Sequence, residues 1–203
     1  MNYATHLQKD SILATCLGNE VYTLQTQKNI ALRLMQSIMS QQLNTKVAAI
    51  IFQRFLNVYG NKLPQLQQII DTPSNTLKSI GLSNAKVQYV KNVALFCIEK
   101  KITDKKLTSL SNIEIIALLT QIKGVGRWTV EMLLMFSLGR ADVFAVDDLG
   151  IQQAMIKLYE LNIENKKILK EKMLAIANNW SPYQTYACLH LWHWKDVIAK
   201  NKK

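Results

Sequence analysis

The run QIKGVGRWTVEM at residues 121–132 constrains the fold most strongly, because it joins two helical patterns through a short turn. Gly124 and Gly126 lie in that turn, and glycine permits left-handed backbone angles that other residues avoid. Main-chain amides at the start of the next helix are then bare, and such amides bind phosphate. The run therefore predicts a helical hairpin at about 118–138 whose turn can hold an anion.

The acidic pair Asp147-Asp148 follows this hairpin. An apolar helix up to about Leu138 and a returning loop fit between Gly126 and the pair. A carboxylate can therefore lie beside a phosphate-bearing polymer that the turn holds. Spacing alone does not choose between the two acids. An Asp that precedes a helix can also serve as its N-cap. We expect one of the pair to cap the helix and the other to react.

Apolar residues elsewhere recur at helical spacing, as in Val87, Val90, Ala94 and Cys97. Turn residues interrupt these patterns and mark about ten short helices. The interruptions fall at Gly18, 59–61, 71–74, 81–84, Gly139 and 180–182. The sequence predicts an all-α protein that forms a single domain over residues 1–203, without internal repeats or long linkers.

The composition is basic, with 25 Lys and Arg against 14 Asp and Glu, a net charge of +11 and a pI near 9.6. A pI above about 9 is typical of nucleic-acid-binding domains. Many basic proteins bind no nucleic acid, so charge alone does not choose between a nucleic-acid-binding protein and a soluble domain with a solvated basic surface. The opening residues do not resemble a signal peptide, and no window approaches the roughly 18 apolar residues of a spanning helix. These features predict a cytoplasmic, nucleoid-associated protein with no membrane partner.

The three cysteines, Cys16, Cys97 and Cys188, are widely separated. This spacing is too sparse for a zinc site or a disulfide framework. An iron-sulfur cluster held by thiolates needs four ligands. We therefore predict reduced thiols in the core and no iron-sulfur cluster.

Five segments, in order and at matching intervals, resemble the helix-hairpin-helix superfamily of base-excision DNA glycosylases, and within it the 3-methyladenine DNA glycosylase II branch. The segments are SIMSQQLNTKVAAIIFQRF at 37–55, GLSNAKVQYVKNVA at 81–94, the hairpin run at 121–132, VFAVDDLGIQQ at 143–153 and WSPYQTYACLHLWHW at 180–194. The resemblance implies two helical lobes with an active cleft between them. One lobe would combine the first residues with the C-terminal third.

The resemblance also implies the activity. The enzyme would be a monofunctional glycosylase that flips alkylated purines out of double-stranded DNA and hydrolyses the N-glycosidic bond, leaving an abasic site for base-excision repair. Asp148 would stabilise the cationic sugar and orient the attacking water, while Asp147 would be structural. 3-Methyladenine is the first choice of substrate, and 7-methylpurines, ethenoadenine and hypoxanthine stay open. We expect a monomer that requires no cofactor.

Trp128 stands where bifunctional relatives carry a lysine that attacks the sugar as a nucleophile. Its indole and that of Trp192 are implied to form walls of the base pocket, because electron-rich rings stack well on electron-poor alkylated purines. Gln41 and Met132 are implied to lie in the same pocket. Met132 replaces a tyrosine of other members, which implies a more open or less aromatic pocket. Tryptophans at helical spacing are otherwise core residues, as we expect for Trp180.

The resemblance assigns Gln42 as the side chain that fills the space left by the flipped base, with Leu43 as the alternative wedge. Without the resemblance, Gln41 and Gln42 are typical of two polar residues that cap the end of a helix. Phosphate contacts are implied for the hairpin, chiefly through main-chain amides. The residues concerned are Lys123, Gly124, Gly126, Arg127 and Thr129. The carbonyls of Thr120, Ile122 and Val125 are implied to hold Na⁺ or K⁺.

Two other classes of function stay open. A bifunctional glycosylase and lyase of the endonuclease III type is disfavoured by Trp128 and by the missing cluster cysteines. A noncatalytic helix-hairpin-helix module that binds damaged DNA is disfavoured by Asp148, which stands in register with the catalytic aspartate of the family.

Overall fold

The structure is a computed structural model that describes residues 2–200, and within that range every regular element is a helix. The all-α prediction is confirmed. Thirteen α-helices and one short 3-10 helix are found there, against about ten predicted, because five helices of four to six residues are too short for periodicity to reveal. Every described helix falls short of the length or the apolarity that a membrane crossing requires.

The helices are α1 (Tyr3–Leu7), α2 (Ser11–Ala14), α3 (Ile30–Ser40), α4 (Thr45–Val58), α5 (Leu66–Asp71), α6 (Ser74–Ser79), α7 (Asn84–Glu99), α8 (Asp104–Ser109), α9 (Asn112–Leu119), α10 (Arg127–Phe136), α11 (Leu149–Leu158), α12 (Lys166–Ala177) and α13 (Gln184–Lys200), with the 3-10 helix at Asn178–Trp180. They divide into two compact units. Unit 1 comprises Met1–Gln25 and Gly139–Lys203, and unit 2 comprises Thr26–Leu138. This pairing of the first residues with the C-terminal third is the one that the family resemblance implies.

Side-chain caps fix where the helices of unit 2 begin. Asn44 Oδ1 accepts the amide of Val47 at 2.9 Å at the start of α4, and Ser83 Oγ accepts the amide of Lys86 at 3.3 Å at the start of α7. Ser111 forms a capping box with Glu114 at the start of α9. Each cap satisfies amides that the first helical turn leaves without an intrahelical acceptor.

Helix α3 is the core helix of unit 2 and packs against α4, α7 and α10. Apolar side chains at helical spacing bury one side of α3, and the apolar face predicted for α7 is likewise buried throughout. The buried residues of α3 are Ile30, Leu32, Leu34, Met35, Ile38 and Met39. This packing places the C-terminal end of α3, and the loop that follows it, at a fixed position within the unit.

The carboxylate of Asp10 links the N-terminal and C-terminal segments of unit 1. Its Oδ1 caps α2 by accepting the amides of Ile12 and Leu13 at 3.1 and 3.0 Å. Its Oδ2 accepts the hydroxyl of Tyr159 at 2.7 Å and the indole N–H of Trp180 at 2.9 Å. Burial alone would raise the pKa of Asp10, but these hydrogen bonds outweigh it and hold the pKa below its usual range. Trp180 is buried, as predicted.

All three cysteines are buried, so their predicted place in the core is confirmed. Burial raises the pKa of Cys16 to about 12 and that of Cys97 to about 11. Thiols with such pKa values are weak nucleophiles near neutral pH. They contribute packing.

Asp10→Ala is expected to lower the free energy of unfolding by about 1–3 kcal/mol, because the Tyr159 hydroxyl and the Trp180 indole lose their acceptor. Since the pKa of Asp10 is depressed in the folded protein, its contribution is complete above the ordinary value of 3.8 and is lost as pH falls through the folded pKa. Thermal unfolding between pH 7 and pH 3 measures this contribution. Asp196→Ala, at an exposed position of unit 1, is the control. An acid-side profile of Asp10→Ala parallel to that of wild type would contradict the assignment.

Candidate functional site

The hairpin consists of α9, a turn at residues 120–126 and α10. Gly124 has a φ of +101°, so it uses the left-handed freedom that the sequence predicts. Gly126 does not, because it is the N-cap of α10 with a φ of −89°. The two glycines therefore serve the turn for different reasons.

Space distinguishes the same two glycines. A Cβ on Gly124 would lie 2.1 Å from Cγ of Tyr89, whose ring packs under the turn. A Cβ on Gly126 would meet no atom within 4 Å. The turn is thus closed by α7 beneath Gly124 and is open beside Gly126, at the start of α10.

Charged side chains flank the start of α10. Arg127 has a side chain that is 56% exposed, and its Nε donates to Oε1 of the fully buried Glu131 at 2.7 Å. This ion pair, one turn apart on α10, orients the guanidinium. Lys123 is exposed, and its carbonyl accepts the side-chain amide of Asn92 at 3.0 Å.

The phosphate contact predicted for Thr129 stays a prediction for its main-chain amide, because the side chain is turned inward. Thr129 is only 2% exposed. Its hydroxyl accepts the side-chain amide of Gln41 at 3.2 Å, so it serves an internal hydrogen bond. The residue joins α10 to the loop that follows α3.

The acidic pair is arranged differently from the predicted division of roles. Asp148 is itself the N-cap of α11, and its Oδ1 accepts the amide of Ile151 at 2.9 Å and the indole N–H of Trp192 at 2.9 Å. Asp147 is exposed and forms an ion pair with Lys170. The expectation that one acid caps while the other reacts is therefore wrong in its capping half: the residue assigned to chemistry is also the cap.

The first turn of α11 leaves little room around this carboxylate. A Cβ on Gly150 would lie 3.0 Å from Oδ1 of Asp148 and 3.1 Å from the indole of Trp192. A larger residue at position 150 would displace one of them. Sequence reasoning gave Gly150 no role, whereas in the structure its lack of a side chain leaves room for the acid and the indole.

The loop after α3 carries the two predicted wedge residues. Gln42 is exposed and has a φ of +60°, a left-handed conformation that is uncommon for a residue with a side chain. Leu43 is 38% exposed. The ammonium of Lys86 donates to the carbonyls of Met39 and Gln41 at 2.9 and 2.7 Å. The tip of the loop therefore projects to solvent from a base that is held by hydrogen bonds.

A cavity of about 550 Å³ lies within unit 2, among α3, α4 and α10. Met132 and Leu43 line it, together with Arg33 and Phe136. Trp128, one turn before Met132 on α10, is half-buried and is not among the lining residues, nor is Gln41. The structure therefore places only part of the predicted base pocket on this cavity.

Residues 35–179 match the profile of a protein family described as HhH-GPD superfamily base excision DNA repair protein. The chain belongs to this superfamily. The match covers more than half of the chain and includes the hairpin and the acidic pair.

Individual members of the superfamily are also similar over most of the chain. The DNA-3-methyladenine glycosylase 1 of Schizosaccharomyces pombe is 39% identical over 161 residues, which cover 78% of this chain and 69% of that protein. A putative DNA-3-methyladenine glycosylase of Bacillus subtilis is 31% identical over 165 residues, and the chain spans only 56% of its length. The solved structure of the S. pombe 3-methyladenine DNA glycosylase in complex with abasic DNA has a TM-score of 0.80 at 34% identity and covers 95% of each chain.

Within this superfamily fold, the predicted site residues fall into two groups. Asp148 and Trp192 are in direct contact in unit 1. The hairpin, the wedge loop, Trp128 and Met132 belong to unit 2. Trp192 was expected as a wall of the base pocket, and the structure adds that its N–H holds the acid.

The predicted cation ligands lie in the hairpin turn. Thr120 is the C-cap of α9, and the carbonyl of Ile122 accepts the amide of Val125 at 2.9 Å. A carbonyl oxygen has two lone pairs, so this bond leaves Ile122 able to contact a cation as well. Main-chain oxygens of this kind suit a hard monovalent ion. Among the described residues, no group of three or more His, Cys, Asp and Glu is placed to bind a metal ion.

Sequence reasoning missed several supporting residues. Glu131 stands four residues after Arg127, a spacing that could have indicated the ion pair. Lys86, Tyr89 and Asn92 follow one another at intervals of three along α7, which indicates a shared side of the helix. Their partners are distant in sequence, so no local pattern could have named them.

Gly124→Ala is expected to lower the free energy of unfolding by at least about 2 kcal/mol, because it forces a left-handed residue to carry a Cβ against Tyr89. Gly126→Ala is the matched control and should cost less than about 1 kcal/mol, the small loss expected when Ala replaces Gly at an N-cap. Urea unfolding of both variants measures the difference. Equal losses would show that the contact with Tyr89 does not constrain the turn.

Proposed function

We propose that the chain is a monofunctional DNA glycosylase that excises alkylated purines, 3-methyladenine foremost, and leaves an abasic site. The observation that carries the proposal is the Asp148 carboxylate, whose Oδ1 receives both the Ile151 amide and the Trp192 indole N–H. The names of the similar S. pombe and B. subtilis proteins support the choice of substrate.

The reaction breaks the bond between the base and deoxyribose through a transition state with oxocarbenium character. A negative charge fixed beside the sugar lowers the energy of that state. Because two donors hold Oδ1 of Asp148, the carboxylate needs little reorganisation as the positive charge develops. The same carboxylate can orient the water that attacks the sugar carbon.

The choice of alkylated purines follows from the leaving group. Alkylation at ring nitrogens makes the purine electron-poor and often cationic, so it departs without a dedicated protein acid. Trp128, half-buried on α10, offers an electron-rich ring on which such a base can stack. Met132, one turn later on α10, lines a cavity of about 550 Å³ in place of a larger aromatic residue. This room favours testing 7-methylpurines, ethenoadenine and hypoxanthine as further substrates.

The hairpin supplies the grip on the DNA backbone. The amides at the start of α10 and the exposed Lys123 and Arg127 suit phosphate. Gly126 lacks a steric reason within the protein, and it gains one if a phosphate approaches the open side of the turn. The net charge of +11 supports binding to double-stranded DNA, on which the protein acts as a nucleoid-associated monomer. A Na⁺ or K⁺ ion held by the carbonyls of Thr120, Ile122 and Val125 would add positive charge beside that phosphate.

Gln42 fills the gap that the flipped base leaves in the duplex. Its side chain is exposed at the tip of its loop, whereas Leu43 is turned partly toward the cavity. This difference supports Gln42 as the wedge and Leu43 as a wall of the cavity.

Asp148→Asn is expected to retain duplex binding and to lower base release by at least about 100-fold, since the charge is lost. Asn caps helices about as well as Asp, so α11 should still form. Chromatographic identification of bases freed from methylated duplex DNA measures release, and Asp147→Asn is the control at the neighbouring exposed acid. Wild type that binds DNA without releasing a base would be a noncatalytic damage-binding module. Unchanged release by Asp148→Asn would overturn the mechanism.

Borohydride reduction in the presence of damaged duplex DNA is expected to give no covalent adduct. The reason is that Trp128 offers no amine at the position from which a lyase attacks the sugar. A bifunctional glycosylase with a nucleophilic lysine serves as the positive control. An adduct would indicate a bifunctional glycosylase and lyase of the endonuclease III type. If wild type formed the adduct and a Lys123→Gln variant did not, the attacking amine would be that of Lys123 in the hairpin.

A further inference from the structure

The segment 81–94, which includes the start of α7, has no part in the proposed chemistry. Nevertheless, three of its residues contact the two loops of unit 2 that the proposed function uses. Lys86 bonds the carbonyls of the wedge loop, the ring of Tyr89 lies under the hairpin turn, and the side-chain amide of Asn92 bonds the carbonyl of Lys123. Helix α7 is therefore a common support for both loops.

Lys86 lies in the first turn of α7, where its own amide is capped by Ser83. A positive charge is unfavourable at that end of a helix and favourable at a C-terminus. The ammonium reaches such a C-terminus, because α3 ends at Ser40 and the carbonyls of Met39 and Gln41 accept from it at 2.9 and 2.7 Å. The ammonium is partly removed from water where it makes these two hydrogen bonds, and this burial lowers the pKa of Lys86. Its position is explained by the end of α3.

The loop that Lys86 holds contains a costly conformation. Gln42 has a φ of +60°, which costs a residue with a side chain roughly 1–2 kcal/mol. Such a residue persists only where its neighbours are held. Gln41 is held twice, by its carbonyl on Lys86 and by its side-chain amide on Thr129. The exposed Gln42 side chain thus projects from a fixed base.

We propose that Lys86 is a positioning residue for opening the duplex, because its ammonium fixes the loop at 41–43 from which Gln42 enters the base stack. This inference rests on the proposed glycosylase function. Extruding a base costs a few kcal/mol of stacking and pairing. A wedge on a preorganised loop spends less of its binding free energy on ordering that loop.

The test compares Lys86→Met with Lys91→Met. Lys91 is on the same helix, carries the same charge, and donates to the carbonyl of Ile70 at 2.8 Å near the end of α5. Both variants lose one charge and the bonds of one ammonium, but only Lys86 contacts the wedge loop. Excision from methylated duplex DNA should fall at least about tenfold in Lys86→Met and stay near wild type in Lys91→Met.

A spectroscopic readout follows insertion directly. A duplex with 2-aminopurine beside a tetrahydrofuran abasic-site analogue becomes more fluorescent when its bases are unstacked. At saturating protein, Lys86→Met should give a smaller rise than wild type, and Lys91→Met should give the full rise. Lys86→Arg keeps donors for both carbonyls and should recover part of the signal.

A double-variant cycle separates this role from a general loss of folding. If Lys86 acts through Gln42, Lys86→Met should cost little further excision in a Gln42→Ala background. Unfolding would instead lower excision by the same factor in both backgrounds, which would overturn the proposal. Wild type that releases no base would contradict the proposed function itself. Release by wild type, with Lys86→Met equal to Lys91→Met in both assays, would contradict only the role of Lys86.

Discussion

The carboxylate of Asp148 is the interaction on which the candidate site depends. Its Oδ1 accepts the Ile151 amide at the start of α11 and the indole N–H of Trp192 on α13, both at 2.9 Å. The start of one helix, the position of another and the proposed chemistry therefore depend on the same two hydrogen bonds. Gly150 keeps the space around them clear. Two donors thus fix one oxygen of the acid, and electrostatic catalysis requires a charge that is held in place in this way.

The two hairpin glycines illustrate how one short motif can combine unrelated requirements. Gly124 is needed by the protein itself, because of its backbone angle and the ring of Tyr89. Gly126 is the N-cap of α10, and a Cβ there would meet no atom within 4 Å, so the protein itself sets no steric requirement for it. The structure therefore requires only the first glycine of the Gly-Val-Gly pattern, and the phosphate contact that we propose would account for the second.

Local patterns predicted most of the fold and part of the site. Helical spacing and turn residues predicted an all-α chain, and the hairpin predicted at 118–138 contains all of α10 but only the last two residues of α9. Contacts between distant residues could not be predicted, because they leave no periodic signal. Lys86 and Gln41 are 45 residues apart, and Gln41 and Thr129 are 88 apart. The family resemblance, and not local spacing, assigned the chemistry to Asp148 rather than Asp147. The hydrogen bond from the Trp192 N–H could not be predicted, because it depends on the packing of α11 on α13.

The chain order of the two units has a consequence for synthesis. Unit 2 is one continuous segment, so all its partners have been made once residue 138 is complete. Asp10 must wait for Tyr159 and Trp180, which follow it by 149 and 170 residues. At about 5–20 residues per second this delay lasts roughly 7–35 s. The hairpin likewise lies within residues complete at position 138, so a nascent chain on the ribosome has every part of it before it acquires Trp192, whose N–H holds the Asp148 carboxylate.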